Sequence, residues 1–143
     1  MLTIVEKVII LQDVDIFKHI FTEDLAYIAT IAEETRFKPD QAIYREGEVS
    51  DSMYLVLDGR VRLHRDDVEV MVAVHKSTFG VWSLMDDELR VTSATTLEEC
   101  ALLRIDREDF IDLLADNVRI TQGILKAIVI RLRSLMGRVG KRS

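Results

Sequence analysis

Hydrophobic and polar positions follow a helical period in the first 36 residues of the chain. Apolar residues recur at intervals of three and four, and this spacing predicts helices at 2–11 and 22–34. The second helix opens with Thr22, whose hydroxyl we expect to cap it, followed by two acidic residues. Pro39 lies just beyond it in a predicted turn, because proline cannot continue a helix.

Between residues 37 and 106 the pattern changes to short apolar runs separated by glycine or acidic pairs. Strands are predicted at 53–57, 61–64, 68–74, 91–97 and 100–105. Tight turns are predicted at Asp58–Gly59 and Asp66–Asp67. Regularly spaced short strands indicate a fold that is mainly β with flanking α: a double-stranded, jelly-roll-like β-roll with N-terminal helices and a long C-terminal helix.

The last part of the chain returns to a helical period. A helix is predicted from Arg107 to about Val139, with one break near Asn117. Its apolar positions, spaced by three and four, are Leu125, Ile128, Leu132, Leu135 and Val139. This repeat is compatible with a coiled-coil seam that forms a homodimer, and equally with a helix packed on its own roll. We favour packing on the roll.

Length and composition indicate one domain over residues 1–143, with N-terminal helices in 1–36, a β-roll in 37–106 and C-terminal helices in 107–143. Hydrophobic residues make up 48% of the chain, which is typical of a globular protein. We expect no transmembrane segment, because no apolar run reaches the roughly 18 residues that a span requires. No signal peptide is expected. No internal disulfide is expected either, because Cys100 is the single cysteine of the chain. Cys100 is predicted to be a small buried hydrophobic residue. These features predict a cytoplasmic location.

Charge is unevenly distributed along the chain. All 25 acidic residues lie at or before Asp116, so this part carries −13 and the remainder carries +7. A basic C-terminal segment is typical of contact with an anionic membrane surface or nucleic acid, or of a solvated helix end whose cations complement the helix dipole. We favour the solvated end, with docking onto an acidic partner domain.

A candidate anion site follows the predicted strand at 68–74. Phe79 and Gly80 lead into a short turn, and Arg90 follows the glycine by ten residues. Such a turn presents free backbone N–H groups, and arginine supplies a fork of donors that matches two phosphate oxygens.

The segment before this site carries a longer pattern. Residues 47–61 read G-E-x-x-D-x-x-Y-x-V-x-x-G-x-V, and the pair F-G and then an arginine follow. This arrangement resembles the cyclic nucleotide-binding domain family, which includes catabolite activators, kinase regulatory subunits and the gating domains of some ion channels. The resemblance extends from Phe17 to Phe110. It implies a regulatory domain that binds cAMP or cGMP and signals through its C-terminal helix to an attached domain or a partner.

In this family the phosphate-binding cassette reads roughly F-G-E-L-A-L…R-A-A/S. Its glutamate binds the ribose 2′-hydroxyl, and its arginine and nearby amides hold the cyclic phosphate. The resemblance makes these residues the candidate ligand site: Phe79, Gly80, Val81, Trp82, Ser83, Arg90, Val91 and Thr92. Val81 stands in the place of the glutamate and Trp82 in the place of a leucine, while Val91 and Thr92 replace small residues.

These departures weaken the expected binding. A hydrogen bond to a charged group contributes about 1.5–3 kcal/mol, so loss of the carboxylate lowers affinity by roughly ten- to a hundredfold. The acidic run Asp86–Glu88 disfavours a phosphate nearby. Trp82 either occupies the ribose space or packs on the barrel, and we favour the packing.

Catalysis finds no support in the sequence, and we expect neither an enzyme nor a resident cofactor or metal. The three histidines lack metal-ligand spacing, and no nucleophile elbow or P-loop is present. No helix-turn-helix follows the last helix, so a nucleic-acid-binding module is not expected, and the output would belong to a neighbouring domain of a larger protein or to a partner.

Two hypotheses follow. In the first, the chain is a regulatory domain that binds cAMP or cGMP weakly, as Arg90 and the intact 47–61 pattern suggest. In the second, it is a protein-interaction or structural module that has kept the fold and lost the nucleotide, as Val81 and the acidic run suggest.

Overall fold

The computed structural model describes the backbone of residues 1–140 and the side chains of residues 1–138. Within this range the helices are α1 (Ile4–Leu11), α2 (Thr22–Ile31), α3 (Arg107–Asp116) and α4 (Val118–Gly140). The strands are β1 (Ala32–Phe37), β2 (Ala42–Tyr44), β3 (Ser52–Asp58), β4 (Val61–Arg65), β5 (Val68–Ala73), β6 (Thr78–Phe79), β7 (Ser93–Thr96) and β8 (Cys100–Asp106). Short 3-10 helices occupy Asp15–Phe17 and Val81–Leu84.

The strands form two antiparallel four-stranded sheets, in the orders β1-β8-β3-β6 and β2-β7-β4-β5. The inner faces of both sheets enclose one apolar cluster, the roll core, which includes Val56, Val61 and Leu102. The outer face of the first sheet packs against the helices in a second cluster, the helical core, which includes Leu55 and Phe110. Both faces of β3 are therefore buried, which explains its continuous apolar sequence. The predicted β-roll is confirmed.

The second helix is shorter than its sequence predicts. It ends at Ile31, and residues 32–34 belong to β1, so the roll begins at Ala32 and not at residue 37. The reason is long-range pairing, because β1 aligns with β8 from Ala32 opposite Ile105 to Phe37 opposite Cys100.

The predicted cap of this helix was also wrong. Thr22 is already the first helical residue, and Phe21 occupies the cap position without a side-chain hydrogen bond. The hydroxyl cap lies instead at the first helix, which begins at Ile4 because Thr3 and Glu6 form a reciprocal capping box.

The predicted break near Asn117 is confirmed, since α3 ends at Asp116 and α4 begins at Val118. Packing of the whole of α4 on the roll is not observed. Ile120 and Ile124 are buried in the helical core, whereas Leu125 and Leu132 are 56% and 57% exposed. The second half of α4 therefore presents an apolar stripe, composed of Leu125, Ile128, Leu132, Leu135 and Met136, to solvent. The side chain of Val139 lies outside the described residues.

The basic α4 is held partly by the acidic residues of its own chain. Arg119 donates to Glu23 and Asp24 at 2.7 Å, and its guanidinium lies 4.9 Å from the centre of the Phe21 ring. These bonds raise the pKa of Arg119. Arg131 lies 3.3 Å from Asp15. Arg119 lies in the first turn of α4, whereas Arg133 and Arg138 near its end are exposed, so the described part of this end agrees with the predicted solvated basic end. Lys141 and Arg142 lie outside the described residues.

The turn after β3 depends on a glycine, as predicted. Gly59 has φ +93°, and a Cβ placed there would lie 2.5 Å from the Glu99 carbonyl oxygen and 2.6 Å from the Cys100 sulfur. Cys100 is buried, its thiol donates to the Arg60 carbonyl, and burial raises the pKa of the thiol.

Among residues 1–140, none of the helices combines the length and the apolar composition that a membrane span requires.

Gly59→Ala is expected to destabilise the fold more than Gly47→Ala. Both glycines have positive φ, which costs an alanine about 1–2 kcal/mol, but a Cβ at Gly47 meets no atom within 4 Å. At Gly59 the clash adds roughly 1–3 kcal/mol of overpacking. Urea denaturation monitored by circular dichroism measures both variants. Equal losses of unfolding free energy in the two variants would contradict the close approach described here.

Candidate functional site

The chain positions Arg90 by tying it to the segment after β2. The Gly47 N–H donates to the Arg90 carbonyl and the Arg90 N–H donates to the Glu48 carbonyl, both at 2.9 Å. These two backbone bonds bring the Gly47–Glu48 pattern and the distant arginine together. A β-bridge between Val49 and Leu89 extends the same contact.

The guanidinium of Arg90 points into the protein, and the residue as a whole is 6% exposed. Its Nη1 donates to the Ser83 hydroxyl at 2.7 Å, and its Nη2 donates to the Ser52 carbonyl at 2.8 Å and to the Ser52 hydroxyl at 3.3 Å. A carboxylate oxygen of Asp51 lies 3.9 Å from Nη2. The Nε atom is buried and has no hydrogen-bond partner among the described residues. Burying a charge requires such partners, because desolvation alone is costly.

The Tyr44 ring, which belongs to an aromatic cluster, covers one face of the guanidinium. The Arg90 Cζ lies 3.9 Å from the centre of the Tyr44 ring, a cation–π geometry. Tyr44 also lies 6.2 Å from Tyr54 and 6.1 Å from Phe79, ring centre to ring centre. Burial raises the pKa of the Tyr44 hydroxyl, although the Arg90 charge and a hydrogen bond with Thr92 act in the opposite direction. Tyr44 is therefore neutral near neutral pH.

Gly80 admits the arginine side chain. Its φ is +71°, and a Cβ at this position would lie 2.6 Å from Nη1 of Arg90 and 3.1 Å from the Ser52 carbonyl oxygen. Glycine is thus needed both for the backbone conformation and for the space that the guanidinium occupies.

The 3-10 helix that follows Gly80 divides its residues between two environments. Ser83 is buried and its hydroxyl is hydrogen-bonded to that of Ser50, while Leu84 is buried in the helical core. Val81 packs against the same core. Trp82 is 61% exposed, so the prediction that it packs on the barrel was wrong. The turn has four residues, and because Ser83 and Leu84 face inward, Trp82 is left on the outside.

The other predicted site residues are also divided between buried and exposed positions. Phe79 is a member of the roll core, Thr92 lies beside Tyr44, and Val91 is 72% exposed. The structure thus brings together Gly80, Ser83, Arg90 and Thr92, and places Trp82 and Val91 at the surface.

Sequence reasoning missed three partners of Arg90. Asp51 was already part of the G-E-x-x-D pattern, so its charge was a signal that could have been read. Ser52 and Tyr44 carry no comparable signal, since their contacts depend on the way β2 and β3 face each other across the roll.

The acidic run after the turn lies at the surface. Asp86, Asp87 and Glu88 are exposed, and the Glu88 N–H donates to the Asp86 carboxylate at 3.1 Å. In the part of the chain that the structure describes, no group of three or more histidine, cysteine or acidic residues is placed to hold a metal ion.

Comparisons with known proteins identify the family and the fold of the chain. Residues 34–117 match the cyclic nucleotide-binding domain. A CRP-like cAMP-activated global transcriptional regulator of Mycobacterium tuberculosis is 27% identical over 129 residues, covering 87% of this chain and 58% of that protein. A cAMP-dependent protein kinase regulatory subunit of Dictyostelium discoideum is 26% identical over 108 residues, covering 70% of this chain and 33% of that protein. This chain therefore spans between a third and three fifths of the length of these relatives.

A solved structure shows the same fold. The N-terminal domain of a transcriptional regulator from Streptomyces coelicolor A3(2) superposes with a TM-score of 0.83 at 25% identity, covering 91% of this chain and 94% of that one. The predicted resemblance is thus confirmed. Since the matched segment makes up more than half of the chain, the chain belongs to the cyclic nucleotide-binding domain family.

Proposed function

We propose that this chain is a regulatory domain that binds cAMP or cGMP weakly through Arg90 and signals through α4 to an attached domain or a partner. The observation that carries the proposal is the position of Arg90, which is held in the cassette between Gly80 and the Tyr44 ring. The named relatives include a cAMP-activated regulator and the regulatory subunit of a cAMP-dependent kinase.

The donor count of Arg90 supports phosphate binding. A guanidinium carries five N–H donors, and Ser52 and Ser83 accept three hydrogen bonds from it. Two donors, including the one on the buried Nε, have no protein acceptor among the described residues. Because Ser52 occupies Nη2, the neighbour of Nε in a bidentate fork, the Nε–H remains as a donor for one oxygen of a cyclic phosphate.

Other features lower the affinity. Val81 packs against the helical core and offers no acceptor for a ribose hydroxyl. The missing hydrogen bond corresponds to a loss of roughly ten- to a hundredfold. The exposed carboxylates of Asp86–Glu88 repel an anion that approaches the turn.

The proposed signal passes through a shared core. Leu84, at the end of the cassette turn, is 1% exposed and belongs to the same helical core as Phe110 of α3 and Ile120 of α4. A ligand that shifts the turn therefore changes the packing of both C-terminal helices, which is the physical requirement for coupling. The exposed apolar stripe of α4 is the proposed contact surface for an attached domain, a partner protein or a second copy in a homodimer.

A second candidate function is an interaction module that binds no nucleotide. It is favoured by the protein contacts that Arg90 makes, since Ser52 and Ser83 accept hydrogen bonds from its guanidinium and the Tyr44 ring stacks on it. In that case Arg90 would stabilise the turn, and α4 alone would provide the function.

Calorimetric titration with cAMP and cGMP separates these two functions. We expect micromolar to millimolar binding by the wild-type chain, loss of binding in Arg90→Ala, and at least a tenfold gain in Val81→Glu, because a carboxylate returns to the ribose position. Circular dichroism confirms that each variant is folded. Absence of heat with the folded wild-type chain and with Val81→Glu would favour the interaction module.

Ser83→Ala is expected to raise nucleotide affinity while lowering stability. The substitution frees the Nη1 donor that Ser83 now occupies, and a charge-assisted hydrogen bond to phosphate is worth roughly tenfold or more. The buried hydroxyl of Ser50 and the buried Nη1 of Arg90 both lose a partner at the same time, which costs roughly 2–4 kcal/mol of unfolding free energy. Parallel titration and urea denaturation test both effects. Unchanged or weaker binding would show that phosphate does not use this donor.

Hydrogen exchange measured by mass spectrometry tests the proposed signal. Saturating cAMP is expected to change exchange in residues 80–90 and in residues 107–124, because these segments share the helical core. The β4–β5 hairpin, which contributes to the roll core, serves as the internal control, and Arg90→Ala serves as the non-binding control. A change confined to residues 80–90 would rule out transmission to α4.

A further inference from the structure

A cleft of about 530 Å³ lies between α1, the outer face of the first sheet and the turn between β5 and β6. None of the predicted cassette residues lines it. Its volume falls within the range of about 300–1,000 Å³ that is typical of small-molecule sites.

The floor of the cleft is apolar. Leu55 and Leu57 of β3 contribute to it, and Ile10 and Val14 border it from the helical side. Ala101 lies on β8 opposite Arg36 of β1. A small residue at this place leaves a depression in the sheet surface between larger neighbours.

Basic side chains line the rim of the cleft. Arg36 comes from β1, and His75 and Lys76 come from the β5–β6 turn. His75 is held in place through its Nδ1, which lies 2.8 Å from the Leu57 carbonyl oxygen. Across the described part of the chain, neither Arg36 nor Lys76 has a carboxylate within 4.0 Å, so both cations are available to a ligand.

Lys76 occupies an unusual backbone conformation. Its φ is +73°, in the left-handed region where glycine is unstrained and other residues are not. Its N–H donates to the Val56 carbonyl at 2.9 Å, a bond that any residue except proline could make. The Ser77 N–H also donates to the Val74 carbonyl at 2.8 Å, which closes a four-residue turn with Lys76 at the third position, where a positive φ is required and glycine is favoured. The turn therefore explains the backbone conformation but does not require a lysine side chain.

Three carboxylates also line the cleft, and two of them already have hydrogen-bond partners. Glu6 accepts from the Thr3 N–H in the α1 capping box, and Glu34 accepts from the Leu2 N–H. The carboxylate of Asp13 accepts no hydrogen bond from any of the described residues. A hydrogen-bonded carboxylate keeps its charge, so all three oppose an anion in the cleft, and Asp13 is the one whose replacement breaks no side-chain hydrogen bond of the described residues.

We infer that this cleft is a second ligand site, separate from the cassette, for an amphipathic anion with a linear apolar chain and a terminal carboxylate. The chain of such a ligand would lie over Ala101 and the apolar floor, and its carboxylate would lie between Arg36 and Lys76. A medium-chain fatty acid has this chemistry. The inference does not depend on nucleotide binding.

Calorimetric titration of the full chain with decanoate below its micellar concentration tests the site. We expect measurable binding of decanoate and at least tenfold weaker binding of decanol, which has the same chain length without the charge. Asp13→Asn is expected to bind decanoate more tightly, because a like charge has been removed. Absence of decanoate binding, or equal binding of decanol, would overturn the inference.

Lys76→Gly is the variant that best separates an effect on decanoate binding from an effect on stability. Glycine relieves the backbone strain, so the midpoint of thermal unfolding should stay the same or rise, while decanoate affinity falls at least tenfold. The matched control is Lys38→Gly, an exposed lysine that does not line the cleft and should leave affinity unchanged. Equal decanoate affinity in Lys76→Gly and the wild type would exclude the site as described.

Discussion

The burial of the Arg90 guanidinium is the constraint on which the segment from Gly80 to Arg90 depends. A buried charge needs hydrogen-bond acceptors, and here the Ser52 carbonyl and the Ser83 hydroxyl provide them. The same burial requires glycine at position 80, where any Cβ would collide with the guanidinium. The Tyr44 ring then covers the remaining face. The arginine therefore organises the turn that precedes it and the strand that faces it.

Much of the roll could be predicted from its sequence because the relevant signals are local. Apolar runs bounded by Gly59 and by the Asp66–Asp67 pair mark strands and turns, and Asn117 marks the break between the last two helices. The end of α2 could not be predicted in this way. Glu33 and Glu34 favour a helix locally, but pairing with β8, far along the chain, places them in a strand.

The candidate site was predictable in part, for a similar reason. Spacing identified Gly80 and Arg90, and both meet in the structure. Spacing could not show that Trp82 is exposed, since the face of a four-residue turn is decided by which neighbours are buried. Nor could it identify Tyr44, because its contact with Arg90 forms only when the two sheets enclose the roll core.

The first sheet separates two apolar cores, with Val56 and Leu102 on one face and Leu55 and Leu103 on the other. The two clusters share no buried residue, and the turn after Gly80 contributes Val81 and Leu84 to the helical one. A substitution within the roll core therefore leaves the packing of the helices in place, whereas a substitution at Val81 alters that packing together with the turn after Gly80.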